Sequence, residues 1–213
     1  MAAQPSFAFP MPLSEKYRPR TFAEFIGLEK PKRIMERFAS APRSCAFIFS
    51  GPSGTGKTCM ALALAEAISA ELIHIPSQHG TVGEIEEALR RTMYVPMLGK
   101  RFWLILIDEA DSISRAAQLA LLSKLDATGL RENTIFIFTC NSLDGLEPRF
   151  LSRCLPVEFS SYGMSVEIAT FLKNVWHREG GNGNCPDLTR LAKDTRNNVR
   201  DCLSRLEIEL LAS

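Results

Sequence analysis

No apolar run in this 213-residue chain approaches the about 20 residues that a membrane-spanning helix needs. The N-terminus, MAAQPSFAFPMPL, lacks the basic start and long apolar stretch of a secretory signal. Both absences predict a cytoplasmic protein, or a nuclear one if the source is eukaryotic. Net charge is nearly absent too, with 25 Lys and Arg against 24 Asp and Glu, a formal +1. No bulk cationic field draws the chain onto nucleic acid, so any DNA contact has to come from a local patch. The six cysteines, at 45, 59, 140, 154, 185 and 202, include no C-x-x-C pair, and none stands near a histidine at zinc-ligand spacing. A zinc module is therefore not expected. The cysteines are read as reduced thiols scattered through a core, as in a reducing compartment.

What is present is ordinary globular material, 46% hydrophobic and 23% charged. The length suffices for one large domain or two small ones. Residues 1–13 carry three prolines and no periodicity, which predicts a flexible N-terminal arm. The basic linker SEKYRPRTFAEF follows, then a helix over 29–39 with Ile34, Met35 and Phe38 on one face. CAFIFS (45–50), LIHIP (72–76), FWLILI (102–107), IFIFTC (135–140) and LPVEF (155–159) are apolar enough for strands buried on both faces of a parallel sheet. Residues 57–69 are apolar nearly all round, which predicts a buried helix. Residues 81–93 place Val82, Ile85, Leu89 and Met93 at helical spacing, with Glu86–Arg90 and Glu87–Arg91 as i,i+4 pairs. This alternation predicts an α/β domain over 14–160, a three-layer sandwich on a parallel five-stranded sheet. After residue 160 the strands stop. Helices at 165–179, 187–195 and 197–211 predict a small all-helical lid over 161–213, broken at GGNGNCP (180–186). In the last helix Val199, Leu203, Leu206 and Leu210 form the expected buried stripe.

Two stretches carry chemistry. GPSGTGKT, from Gly51 through Pro52, Ser53, Gly54, Thr55, Gly56 and Lys57 to Thr58, matches G-x-x-x-x-G-K-[ST] between a predicted strand and a predicted helix. Its glycines let the backbone wrap close to phosphates, and the N–H groups at the helix start point at the anion. Lys57 is expected at the β- and γ-phosphates, and the Thr58 hydroxyl on Mg2+. In LILIDEAD (104–111) an apolar strand ends in Asp108 and Glu109, at the sheet edge where α/β proteins bind ligands. Asp108 is expected to hold Mg2+, directly or through water, and Glu109 to orient and polarise the attacking water. At the end of the next strand Asn141 is either a turn residue or a hydrogen-bond partner for that water or the γ-phosphate. Arg153, in FLSRCLPVEF, stands too late in the chain to belong to its own phosphate loop. Alone it is a solvated arginine. Beside these motifs it is expected to reach the γ-phosphate of an adjacent subunit.

With these residues in place the chain resembles the AAA+ ATPases. More narrowly, it resembles the clamp-loader group: replication factor C small subunits and the bacterial DNA polymerase III clamp-loader ATPase subunit. The resemblance runs from about residue 14 to 211. SEKYRPRTFAEFIG is similar to that group's opening segment, and GPSGTGKT and LILIDEAD to its Walker A and B motifs. TCN is similar to sensor 1, and SRC (152–154) to the tripeptide that carries the trans-acting arginine. DSISRAAQLALLSKLD resembles the helix after Walker B, with its pair Ala117 and Gln118. NNVRDCLSRLE resembles the sensor 2 helix, with Arg200 at the arginine position.

The resemblance implies an ATPase with ATP and Mg2+ as cofactors, acting in DNA replication. It implies an adenine pocket lined by Tyr17, Arg18, Ile26 and Gly27, and Arg200 touching the γ-phosphate from the lid. Ser114 and Arg115, at a helix start, would contact a DNA phosphate, although Arg115 is equally read as solvated. MYVPML (93–98) would meet a ring-shaped clamp if exposed, or be a buried connector. Partners implied are further AAA+ subunits in a homo- or hetero-oligomer, a sliding clamp and primed DNA, with no membrane and no zinc. Two departures stand out. The group usually continues into a third, collar-forming helical domain, whereas this sequence stops at Ser213, so assembly through a collar is not expected of it. The bacterial relatives carry a small zinc module whose cysteines are absent here. The missing collar keeps open a helicase loader or other ring-forming remodeller. A slow-turnover nucleotide-dependent adaptor is a third reading, which the intact Glu109 and Arg153 oppose.

Overall fold

The five apolar runs form one sheet. In a computed structural model, which describes residues 11–76, 80–96, 99–126, 129–181 and 185–212, the strands are β1 (Cys45–Ser50), β2 (Ala70–Ile75), β3 (Phe102–Ile107), β4 (Thr134–Cys140) and β5 (Leu155–Glu158). All pair in parallel, in the order β2-β3-β4-β1-β5. Side chains alternate between faces, as the two-residue period of a strand requires. Phe47, Phe49, Leu104, Leu106, Ile135 and Ile137 enter one core. Ala46, Ile48, Ile105, Ile107, Phe136 and Phe138 enter the other. The expectation of burial on both faces holds for β1, β3 and β4. It fails for β2 and β5, which are the sheet edges and leave residues such as His74, Leu155 and Pro156 exposed. Pro156 marks β5 as an edge, because it has no N–H to give to a further strand.

Helices cover both faces. The helices α2 (Glu29–Ser40) and α3 (Lys57–Ala67) pack Met35, Met60, Ala61 and Leu64 into the first core. On the other side, α4 (Val82–Arg91), α5 (Arg115–Leu125) and α6 (Pro148–Leu151) supply Ile85, Ala88, Ala117, Leu121 and Phe150. The start of α4 is fixed by a capping box between Thr81 and Glu84. Its end comes before the expected Met93. The Thr92 hydroxyl donates to the Leu89 carbonyl at 2.8 Å, closing the last turn, and Met93 is exposed. On the outer face Arg90 pairs with Glu87 at i,i+3, 2.6 Å away, instead of reaching Glu86.

The described chain divides into two compact units. The larger comprises residues 19–162. The smaller joins the residues up to Arg18 to those from Gly163 onward. In the smaller unit lie α1 (Leu13–Lys16), α7 (Ser165–Arg178), α8 (Leu188–Asp194) and α9 (Val199–Ala212). Residues 14–18, expected to open the α/β domain, group with these helices for three reasons. Leu13 is buried and its N–H donates to Glu207 Oε2 at 3.2 Å. The Tyr17 hydroxyl donates to Glu179, and its ring stands edge-on to Phe171 at 6.0 Å. Lys16 closes on the same Glu179 at 2.8 Å. In α9 the stripe of Leu203 and Leu206 gains Cys202, fully buried, its sulfur 2.9 Å from the Thr195 hydroxyl. Of the expected N-terminal arm, residues 1–10 lie outside the described residues, as do residues 182–184 of the expected break. No described helix is long and apolar enough to cross a membrane.

Two outcomes follow from this packing. Phe138, fully buried on a central strand and 4.8 Å from the Phe150 ring in an edge-to-face contact, should lose about 3–5 kcal/mol on truncation to Ala. Leu155→Ala on the edge strand should lose under about 1 kcal/mol, because Leu155 is already 42% exposed. Urea unfolding midpoints measure both, and equal losses would contradict the edge assignment of β5. The second outcome concerns pH. Burial, then the hydrogen bond and charge of Glu179, push the Tyr17 hydroxyl up to about 12 from 10.0. The unfolded chain therefore ionises first. Stability from this group is complete below pH 10 and is lost as pH rises toward 12. Tyr17→Phe should lose less stability than the parent across that window, and its phenolate absorbance titration should lack the highest step. Superimposable stability curves would refute the assignment.

Candidate active site

Parallel register brings the strand ends together. Ser50 pairs with Cys140, Ile107 with Phe138 and Ile75 with Ile107. The residues that follow these ends, Gly51, Asp108 and Asn141, therefore emerge along one sheet edge. After β1 the chain turns into α3 on one face, whereas α4, α5 and α6 lie on the other. The paths diverge between the neighbouring strands β1 and β4, which is where open α/β sheets leave a ligand crevice.

The 51–58 loop fills the β1 side of that crevice. Gly51 has φ +146, and a Cβ there would stand 2.0 Å from the Phe159 carbonyl oxygen, so only glycine lets the strand end pass. Gly56 has φ +90 beneath the Phe25 ring and delivers the chain into α3. The first N–H groups of α3 have no intrahelical acceptor and carry the positive end of the helix dipole. Lys57, only 8% exposed, donates to the carbonyls of Gly51 at 2.6 Å and Pro52 at 2.8 Å and to Asn141 Oδ1 at 3.1 Å. A buried ammonium on the first residue of a helix, next to the helix's free N–H groups, is a combination that suits a phosphate.

Opposite stands the acidic half. Asp108 Oδ1 accepts from Thr58 Oγ1 at 2.9 Å and from Thr139 Oγ1 at 2.8 Å. Its Oδ2 lies 2.8 Å from His74 Nε2. Two hard oxygen donors, Thr58 Oγ1 and Asp108 Oδ1, thus sit within one hydrogen bond of each other, a set suited to Mg2+. Glu109 follows in left-handed backbone, φ 51, with its side chain exposed and its N–H donated to Thr139 Oγ1 at 3.1 Å. Asn141 is fixed from below, its N–H donating to Asp111 Oδ2 at 3.1 Å. Between Thr139 and Asn141, burial, then the Asp111 charge, push the Cys140 thiol up to about 11, so that cysteine is a neutral packing group. Such an arrangement can hold a polyphosphate and a dication on one side and present a carboxylate to water on the other.

Of the residues singled out in the sequence, Gly51 through Thr58, Asp108, Glu109 and Asn141 converge at this edge. Others do not. Ile26 and Gly27 are in the larger unit, while Tyr17, Arg18 and Arg200 are in the smaller. Ser114 caps α5, its hydroxyl accepting from the Ala117 N–H at 3.2 Å, and Arg115 pairs with Glu147 at 2.6 Å. Arg153, expected as a surface residue, is half-buried. Its Nε donates to Asp126 and its Nη1 to the Arg149 carbonyl at 2.6 Å. Cys154 beside it is buried, and its thiol is pushed up to about 12 by that burial. In MYVPML, Met93, Tyr94 and Val95 are exposed, the last two at 75% and 85%. Met97 and Leu98 lie outside the described residues.

The sequence reading missed His74, Thr139, Asp111 and Asp126. Strand position was the available signal for His74 and Thr139, since each is the penultimate residue of a strand that ends at this edge. Asp126 had no such signal, because its pairing with Arg153 joins the end of α5 to the end of α6.

The family model for ATPases associated with various cellular activities (AAA) matches residues 47–162, just over half of the chain. Replication factor C small subunit 2 of Pyrobaculum aerophilum is 30% identical over 207 residues, covering 93% of this chain and 64% of that protein. Small subunit 1 of the same organism is 33% identical over 174 residues, 78% of this chain and 52% of its own length. The replication factor C large subunit of Methanosarcina mazei is 30% identical over 204 residues, 91% of this chain and 33% of that one. The chain thus spans between about a third and two thirds of these relatives. Among solved structures, the RuvB Holliday junction branch migration motor of Thermotoga maritima superposes with a TM-score of 0.74 at 19% identity, over 90% of this chain and 64% of its own.

Lys57→Met should test the anion site directly. Triphosphate affinity should fall about 100-fold, the worth of two charge-assisted hydrogen bonds of about 1.5 kcal/mol each, with the far-ultraviolet circular dichroism unchanged. Titration calorimetry measures the former, and unchanged affinity would remove Lys57 from the site.

Proposed function

The chain belongs to the AAA family of ATPases, and from that premise we propose that it is an ATP-hydrolysing subunit of a clamp-loader-like assembly in DNA replication, its sites completed by an arginine from a neighbouring subunit. One observation carries the reading. The similarity to replication factor C subunits spans up to 207 residues, more than the larger unit holds, so it extends into the helices that follow the α/β core. Those relatives are longer than this chain, and the activity of a whole assembly comes to it only as this proposal.

In this reading Lys57 and the amides of the 51–58 loop hold the β- and γ-phosphates, and Thr58 and Asp108 hold Mg2+. When bound, the ion neutralises charge accumulating on the phosphate oxygens. Glu109 orients water and draws its proton. Asn141, tied to Lys57 and Asp111, marks the position of the γ-phosphate. Arg153 serves the adjacent subunit. Its cis bonds to Asp126 and the Arg149 carbonyl fix the plane of the guanidinium, which lowers the entropy lost when it meets a phosphate. The exposed Met93, Tyr94 and Val95 favour a protein-binding patch over a buried connector, and a ring-shaped clamp is the partner proposed for it. Arg115, 76% exposed at its side chain although paired with Glu147, is the proposed DNA phosphate contact.

The trans role makes a specific prediction. Arg153→Ala should lower ATPase activity by about 1,000-fold and leave ATP affinity nearly unchanged. Mixing Arg153→Ala with Lys57→Met should restore part of the activity, because a site with intact Lys57 then meets a neighbour with intact Arg153. Equal loss of binding and turnover, with no recovery on mixing, would assign Arg153 a cis or structural role.

A further inference from the structure

We infer that Thr139 is a positioning residue for ATP hydrolysis, acting through the backbone of Glu109. The reading rests on the ATPase family assignment and on Glu109 as the water-orienting carboxylate, and does not depend on a clamp, DNA or Arg153.

Thr139 sits one residue before the end of β4 and is only 3% exposed. Its hydroxyl does two jobs at once. It donates to Asp108 Oδ1 at 2.8 Å and accepts the Glu109 N–H at 3.1 Å. The two bonds do not carry equal weight. Asp108 is held from other sides as well, by the Thr58 hydroxyl at 2.9 Å, by His74 at 2.8 Å, and through its own N–H to the Ile75 carbonyl at 3.0 Å. Removing Thr139 leaves those three contacts in place. Glu109 is different. Its backbone is left-handed, φ 51 and ψ 52, a conformation that a residue with a long side chain adopts only when its surroundings hold it. On the carbonyl side the Ser112 N–H donates to Glu109 at 2.8 Å. On the amide side the holding group is the Thr139 hydroxyl.

That left-handed turn has a consequence for the site. Asp108 continues the strand direction of β3, whereas Glu109 turns out of it and exposes its carboxylate. Were Glu109 to relax into extended backbone, its side chain would rotate away from this direction, since Cβ alternates along a strand. The Thr139 hydroxyl therefore sets the direction of one carboxylate and needs only a small side chain with an oxygen. Serine meets that requirement. Valine matches the shape of threonine and fails it.

The test compares Thr139→Val, Thr139→Ser, Glu109→Gln and the double variant Glu109→Gln with Thr139→Val. The readouts are single-turnover hydrolysis under conditions where the parent chain turns over, ATP affinity in EDTA, and hydrogen exchange at the Glu109 amide. Thr139→Val should exchange the Glu109 amide at least about 10-fold faster and hydrolyse ATP about 10- to 100-fold more slowly, the scale of a misplaced reacting group, with affinity in EDTA unchanged. Thr139→Ser should restore both readouts. The double variant should be no slower than Glu109→Gln alone, as expected for residues acting as one unit. Parent-like hydrolysis by Thr139→Val would overturn the inference even if exchange accelerates. So would a full additional loss in the double variant, which would place the effect on Asp108, or a parallel loss of affinity and turnover that serine does not rescue, which would make Thr139 structural only.

Discussion

The site depends on the parallel register of three buried strands. With β1, β3 and β4 paired so that Ser50 meets Cys140 and Ile107 meets Phe138, β1 and β4 end level and β3 ends two residues earlier, an offset of roughly 7 Å at about 3.3 Å per residue. A one-residue slip of β3 would exchange its faces and swap Leu104 and Leu106 with Ile105 and Ile107 between the two cores. It would also carry Asp108 away from Thr58 and Thr139. Core packing and site geometry are thus one constraint, enforced by aliphatic and aromatic side chains that touch no ligand.

On that frame the polar groups form two neighbouring networks. Thr58 and Thr139 meet on Asp108 Oδ1, His74 meets Oδ2, Lys57 bonds Asn141, and Asn141 bonds Asp111. The strands β2, β3 and β4 contribute near or just past their ends, and α3 contributes at its start, so a shift in one is felt by its neighbours. A low local dielectric strengthens such a set and makes a missing partner costly. Both qualities suit a site that must hold a highly charged ligand without collapsing when that ligand leaves.

Much of this was legible in the sequence, and the reasons differ by element. The strands were legible because their apolar runs are bounded by turn residues and motif glycines. Their edge or central rank was not, since LIHIP and LPVEF look as apolar as FWLILI; only Pro156 hinted at an edge. The end of α4 was missed because Met93 continues the helical period, while Thr92 closes the last turn by a bond to Leu89 that no periodicity encodes. Residues 14–18 were assigned to the α/β domain by their place in the chain, although Leu13 and Tyr17 bond Glu207 and Glu179 about 160 or more positions later. Motif residues were legible because their spacing is local. Their supports, His74, Thr139, Asp111 and Asp126, were not, because they come from strands and helices that meet only in the fold.

Arg153 brings these lines together. Its ion pair with Asp126 could be taken as evidence for a purely structural arginine, since half-buried arginines commonly bond their own chain. The proposed role in trans gives the same geometry a second reading. Asp126 ends α5, and the same helix holds the start of α6 through Gln118, whose Oε1 accepts the Glu147 N–H at 2.8 Å, and through the Arg115–Glu147 pair at 2.6 Å. Three contacts therefore tie α5 to the short helix that leads directly to Arg153. For the proposed contact with a phosphate on another subunit this fixing is an advantage, because every rotamer frozen in advance is entropy not lost at the encounter.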